Sequence, residues 1–160
     1  MATSKVKCGE APQKLALNDF LPYRLVVLAD EISRTVAQIY GDRFNLTRPE
    51  WRIIASLEEL GPVFATDICA HSTQDKMTVS RAVASLETKG LLQRRDDPQD
   101  RRNKLLELTP AGHSLYQKLV PLVLAREAYL IETLTPEERG LLDRLLTTLL
   151  QRARELEKRG

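Results

Sequence analysis

The stretch from Gln74 to Thr109 constrains this chain more than any other, because a helical period gives way inside it to two short apolar runs around a charged turn. Val79, Ala82, Val83 and Leu86 recur at three-, one- and three-residue steps, the apolar face of a helix spanning residues 74–89. Gly90 follows, a residue that takes the left-handed backbone conformation at a helix C-terminus without steric cost. Then Leu91-Leu92-Gln93-Arg94-Arg95 and Lys104-Leu105-Leu106-Glu107-Leu108 flank Asp-Asp-Pro-Gln-Asp-Arg-Arg. The turn-rich centre favours a hairpin, with Leu92, Leu106 and Leu108 as its apolar face.

The helix before that hairpin carries a second stripe, Gln74, Thr78, Arg81 and Ser85. It is short-chained and rich in hydrogen-bond donors, whereas a merely solvated face is better served by glutamate and lysine. A short helix is expected over Thr66–Ala70, with His71-Ser72-Thr73 as a tight turn into the longer one. Short helix, turn and second helix fit a helix-turn-helix, and the major groove of B-form DNA, about 12 Å wide, admits one helix. Arg81 suits a guanine edge, Thr78 and Gln74 base edges or phosphate, and Ser80 and Thr73 the phosphate backbone. At the hairpin tip Arg102 is placed to enter a neighbouring minor groove, with Asp100 orienting its guanidinium, while Arg101 meets phosphate or solvent.

Residues outside this lobe read as helices. Leu21, Leu25, Leu28, Ile32, Val36 and Ile39 mark one helix from about Asn18 to Asp42. Thr47 and Glu50 form a capping box for another, which carries Trp51, Ile54 and Leu57 and stops at Gly61-Pro62. Thr109-Pro110 starts a helix that Pro121 is expected to kink, and Thr135-Pro136-Glu137-Glu138 starts the last, with leucines at 141, 142, 145, 146, 149 and 150. These outer helices carry more leucine than one lobe needs. A bundle shared with a second copy buries them; an intrachain pair buries part of the same area.

The predicted fold is therefore mainly α with a small β-hairpin wing, a winged helix-turn-helix with N- and C-terminal dimerisation helices. Its expected divisions are a flexible tail over 1–17, an N-terminal dimerisation region over 18–46, the DNA-binding lobe over 47–109 and C-terminal dimerisation helices over 110–160.

Charge alone decides little: the net charge is +2, and residues 63–109 hold eight basic against seven acidic side chains. With no run of 18 apolar residues and no signal-like N-terminus, neither a membrane partner nor secretion is expected, and a cytoplasmic location is. Cys8 and Cys69 read as ordinary thiols without metal-ligand spacing. His71 and His113 belong to no nucleophile or metal motif, so neither an enzyme nor a cofactor is expected.

Two segments, Asp75-Lys-Met-Thr-Val-Ser-Arg-Ala-Val-Ala-Ser-Leu-Glu-Thr-Lys-Gly-Leu-Leu and Asp97-Pro-Gln-Asp-Arg-Arg-Asn-Lys-Leu-Leu-Glu-Leu-Thr-Pro-Ala-Gly, resemble the MarR (multiple antibiotic resistance) family of winged helix-turn-helix regulators. The helix order extends the resemblance over roughly residues 20–155. It implies that Thr78, Ser80 and Arg81 belong to the DNA-reading helix and that Asp100-x-Arg102 is the wing motif. It further implies a homodimer on double-stranded operator DNA, repression of nearby genes, and release by a small effector such as an aromatic acid or its CoA thioester. Tyr23, Arg24, Arg34, Trp51 and His71 are the candidates to line an effector pocket: the aromatic residues for a ring, the arginines for a carboxylate or phosphate. The competing class is a protein-interaction module that uses the helical arms and the charged hairpin without specific DNA binding.

Overall fold

Thr47 caps the helix that organises the lobe: its Oγ accepts the backbone N–H of Glu50, and the Glu50 carboxylate accepts the backbone N–H of Thr47 at 2.6 Å. In the computed structural model, which describes residues 14–100 and 102–158, this helix is α2, Arg48–Leu60. A short 3₁₀ turn, Leu17–Asp19, and α1, Leu21–Phe44, precede it. After it come α3 (Ala65–Ser72), α4 (Lys76–Thr88), strands β1 (Leu92–Asp96) and β2 (Lys104–Leu108), α5 (Pro110–Ile131) and α6 (Pro136–Glu157). The chain divides into two units at Arg34/Thr35, inside α1. Within the first unit the apolar side chains of Leu21, Leu25, Val26 and Leu28 are exposed.

The second unit holds the core. Ile53, Ile54 and Leu57 of α2, Ile68 of α3, Val79, Val83 and Leu86 of α4, Leu92 and Leu106 of the strands and Leu119 of α5 are each at most 2% exposed. The strands pair antiparallel with Leu92 opposite Leu108 and Arg94 opposite Leu106, so the three expected leucines do share the buried face. A third short pairing joins them: Val63 exchanges two backbone hydrogen bonds with Leu106, at 3.2 and 2.8 Å. Gly90, at φ 68°, turns the chain from α4 into the hairpin. Thr109 then ties the hairpin to α5, its hydroxyl donating to the Gly90 carbonyl at 2.7 Å and accepting the Gly112 N–H at 3.1 Å. α5 continues through Pro121.

α1 starts at Leu21, three residues later than the periodicity suggests, and the boundaries around the turn between α3 and α4 also differ from the sequence expectation. α3 runs on through His71 and Ser72, and the turn into α4 is Thr73-Gln74-Asp75, with Thr73 left-handed at φ 53°, ψ 42°. Ser72, buried at the end of this helix, donates its hydroxyl to the Ile68 carbonyl one turn back at 2.6 Å, so its polar group is satisfied inside the helix. α4 begins at Lys76, because Asp75 is its cap; Gln74 therefore lies before the helix. Cys8 and Arg101 lie outside the described residues. Among the described residues no helix is long and apolar enough to cross a membrane.

Candidate nucleic-acid interface

Asp75 starts the candidate reading helix by accepting two hydrogen bonds from Thr78, one from its backbone N–H at 2.9 Å and one from its hydroxyl at 2.6 Å. The hydroxyl bond, followed by the backbone one, holds the Asp75 carboxyl below the ordinary carboxylate range. From this cap the helix turns Val79, Ala82, Val83 and Leu86 inward. At about 100° per residue, the direction opposite that stripe is held by Met77, Arg81, Ala84 and Thr88, with Ser80 beside them. All five are exposed, and Arg81 has no hydrogen bond or ion pair among the described residues.

The stripe expected from sequence is thus displaced to a flank. Gln74 sits in the turn between α3 and α4, its N–H donating to the Cys69 carbonyl at 3.3 Å and its side-chain nitrogen buried. Thr78 is half-buried against its cap, and Ser85 is half-buried because its hydroxyl points back to α2. Of the four stripe residues, only Arg81 projects freely.

Behind Ser85 lies a buried charge that periodicity does not announce. Glu50 is 2% exposed. One carboxylate oxygen accepts from the Thr47 backbone and hydroxyl; the other accepts from Ser85 at 2.6 Å and from the Lys89 ammonium at 2.7 Å. Burial pushes its pKa up, but Lys89, Ser85 and Thr47 together outweigh burial and leave it lowered. Lys89 also donates to the Asn45 carbonyl at 2.7 Å. The last two turns of α4 are thereby fixed to the start of α2 and to the link that precedes it.

The wing sorts its cations. Arg94 makes two bonds to Glu87 at 2.8 and 3.1 Å, which raise its pKa; Arg95 pairs with Glu107 at 3.2 Å, and Lys104 with Asp96. Arg102 differs: its side chain is 94% exposed, and its only ion contact among the described residues, to Asp100, is 3.7 Å long. Asp100 does not hold the guanidinium by a hydrogen bond. It accepts the backbone N–H of Arg102 at 3.1 Å, and its own carbonyl accepts the Asn103 N–H at 2.9 Å. It shapes the tip and leaves the Arg102 head in water.

The effector candidates separate. Tyr23, Arg24 and Arg34 belong to the first unit and are exposed there, with Arg34 paired to Glu31 at 2.6 Å. Trp51 and His71 line one open hollow of about 300 Å³ with Arg52, Ser56, Glu59 and Thr73. Trp51 stacks on Tyr40 and on Tyr116, with centroids 6.3 and 5.9 Å away and planes 20° and 18° apart. The indole therefore stacks on protein rings as well as bordering the hollow. His71 bonds Ser56 through Nδ1 at 2.9 Å. Arg52 closes α3, donating to the Ser72 carbonyl at 3.2 Å.

What sequence reading missed had partial signals. Asp75, directly before the apolar-periodic residues, is a cap residue by type. The partnership of Glu50 with Ser85 and Lys89, 35 and 39 residues on, has no local signature.

A sequence model of the MarR family matches residues 46–104, the lobe from the end of the α1–α2 link to the start of β2. The HTH-type transcriptional regulator FarR of Neisseria gonorrhoeae is 31% identical over 105 residues, 66% of this chain and 72% of FarR. The crystal structure of a MarR/EmrR family transcriptional regulator from Acinetobacter sp. ADP1 superposes with a TM-score of 0.81 at 26% identity, over 88% of this chain and 99% of that one. MepR of S. aureus, solved as a DNA complex, shares the fold with a TM-score of 0.76 at 23% identity, over 85% and 98% of the two chains.

Proposed function

The chain belongs to the MarR family of DNA-binding transcriptional regulators, and from that premise we propose that it acts as a homodimer on a pseudopalindromic operator, repressing nearby genes until a small effector lowers its affinity. The observation that carries the dimer is α6. It is 22 residues long and buries none of them, while Leu141, Leu142, Leu145, Leu146, Leu149 and Leu150 stand 41–53% exposed. Single exposed leucines are ordinary; a continuous leucine face on one helix is a surface awaiting cover. A second copy supplies the same surface, as two-fold symmetry requires.

Two-fold symmetry presents one α4 to each half-site, with centres about 34–36 Å apart or a multiple of that. Arg81 is the candidate for a guanine edge, Ser80 for phosphate and Arg102 for the minor groove. Footprinting on the promoter region next to the gene should reveal two protected patches at that spacing, and sedimentation should give the mass of two chains. A single-chain mass together with equal affinity for scrambled duplex would remove the proposal.

Arg81→Ala is expected to weaken operator discrimination by about 1–3 kcal/mol, the range for a bidentate base contact, with the dimer intact. Arg102→Ala is expected to lower affinity and to blunt the preference among flanks that differ in minor-groove width. Both are measured across a salt series, which separates counterion release from base readout.

For the effector we retain an aromatic acid or its CoA thioester. The hollow beside Trp51 and His71, with Arg52 at the close of α3, supports a ligand able to disturb the turn into α4. Calorimetry with the acid, the thioester and free CoA tests this, with Trp51, the only tryptophan, as a fluorescence reporter. Absence of binding by all three would eliminate this part.

A further inference from the structure

The outward direction of α4 holds one residue that neither solubility nor core packing explains. Met77 is 62% exposed in the first turn of the helix, two residues after the Asp75 cap. It lies one turn before Arg81 on the same line, and Ala84 follows on that line one turn later. Thr78, the obvious polar neighbour, has its hydroxyl committed to Asp75. The long side chains on this line are therefore a thioether and a guanidinium without a partner among the described residues.

We infer that Met77 is a specificity-determining residue, its side chain packing against the 5-methyl group of a thymine in each operator half-site. The inference rests on the reading of α4 as the major-groove helix. Three considerations support it. Residues in the first turn of such a helix reach base edges. The thymine methyl is the one apolar group that the major groove displays, and an apolar side chain reads it by contact rather than by hydrogen bonding. Methionine, unbranched and polarizable, adapts to such a contact where a branched side chain would need an exact fit.

Spacing narrows the target. Met77 and Arg81 are separated by about 6 Å along the helix axis, at about 1.5 Å per residue. Base pairs are stacked about 3.4 Å apart. If Arg81 takes a guanine, the thymine read by Met77 lies within about two steps of it. The half-site is thus expected to contain a guanine and a thymine in close succession, the methyl contributing as much to recognition as a single buried carbon.

The test uses the full chain and a binding site selected from a random duplex pool. Each thymine of that site is replaced in turn by deoxyuridine, which removes only the methyl group. Wild-type protein should lose about fourfold in affinity per half-site, the transfer worth of one buried carbon, at one symmetry-related pair of thymines. Met77→Ala should bind the thymine and deoxyuridine forms of that pair equally, while its melting temperature and its response to guanine substitutions stay unchanged. Met77→Leu should retain a methyl response. If Met77→Ala discriminates the two forms as wild type does, or if no thymine of the selected site is methyl-sensitive, the inference is wrong while DNA reading by α4 stands. If no duplex is enriched at all, the DNA-reading assignment fails and takes the inference with it.

Discussion

Glu50 concentrates the electrostatics of the lobe in one carboxylate, and its pH behaviour follows from its partners. Its folded pKa lies below the ordinary value of 4.5. Its contribution to stability is therefore complete above that value and is lost as pH falls through the lower folded value. Glu50→Gln keeps the shape but leaves one accepting oxygen in place of two and loses the charge opposite Lys89. It should be less stable by about 1–2 kcal/mol at neutral pH. That gap should close on acidification below 4.5, and thermal melts between pH 6 and pH 3 measure it. Asp75, also lowered from 3.8, leaves an acid slope in both proteins. Glu50→Ala strands the Lys89 ammonium, whose side chain is 29% exposed, and should cost about 3 kcal/mol, the lower end for a broken buried pair. A gap between wild type and Glu50→Gln that persists unchanged at pH 3 would mean the carboxylate is not the charged partner described.

At the scale of elements, the joint between wing and α5 is set by the absence of a side chain. A Cβ on Gly112 would stand 2.2 Å from the Leu91 carbonyl oxygen and 3.3 Å from Leu108 Cβ. The first contact is backbone, held by its own bond from the Thr109 N–H at 3.1 Å, so it cannot swing away. Gly112→Ala should cost about 3 kcal/mol or more, the upper range for overpacking. For a chain of this length that lowers the melting temperature by roughly 6–12 °C. An unchanged melt would mean that α5 starts further from the hairpin than described. Elements of this kind were legible in the sequence wherever the signal was local. The Thr47–Glu50 and Thr135–Glu138 boxes, Gly90 after α4, and the leucine pattern of the hairpin each act within a few residues. The third pairing at Val63 was not legible, because a single bridge has no period. Nor was the rotation of α4: choosing donors by chemistry favoured Gln74, Thr78 and Ser85, whereas packing directed Ser85 to Glu50 and the Asp75 cap put Gln74 outside the helix. At the candidate site, then, residue type singled out Arg81 and Arg102, which the fold leaves exposed, and only packing showed which neighbours share their surface.

For the whole molecule the same distinction applies to leucine. Sequence marks α5 and α6 alike as apolar, but α5 sends Leu119 into the lobe and α6 sends nothing there. A change on α6 can therefore separate assembly from folding. Leu145→Glu with Leu149→Glu places two carboxylates one turn apart on the leucine face, where burial against a second copy would strip both of water. Sedimentation should then give the mass of one chain. Trp51, stacked on Tyr40 and Tyr116, should keep its wild-type emission, because the lobe loses no buried contact. Operator affinity should fall by about 10²–10⁴, the advantage that linkage gives a second binding event, while a single half-site should be bound as weakly by the variant as by one lobe of the wild type. A double variant that still sediments as two chains and still grips the full operator would place the subunit contact on a surface other than α6.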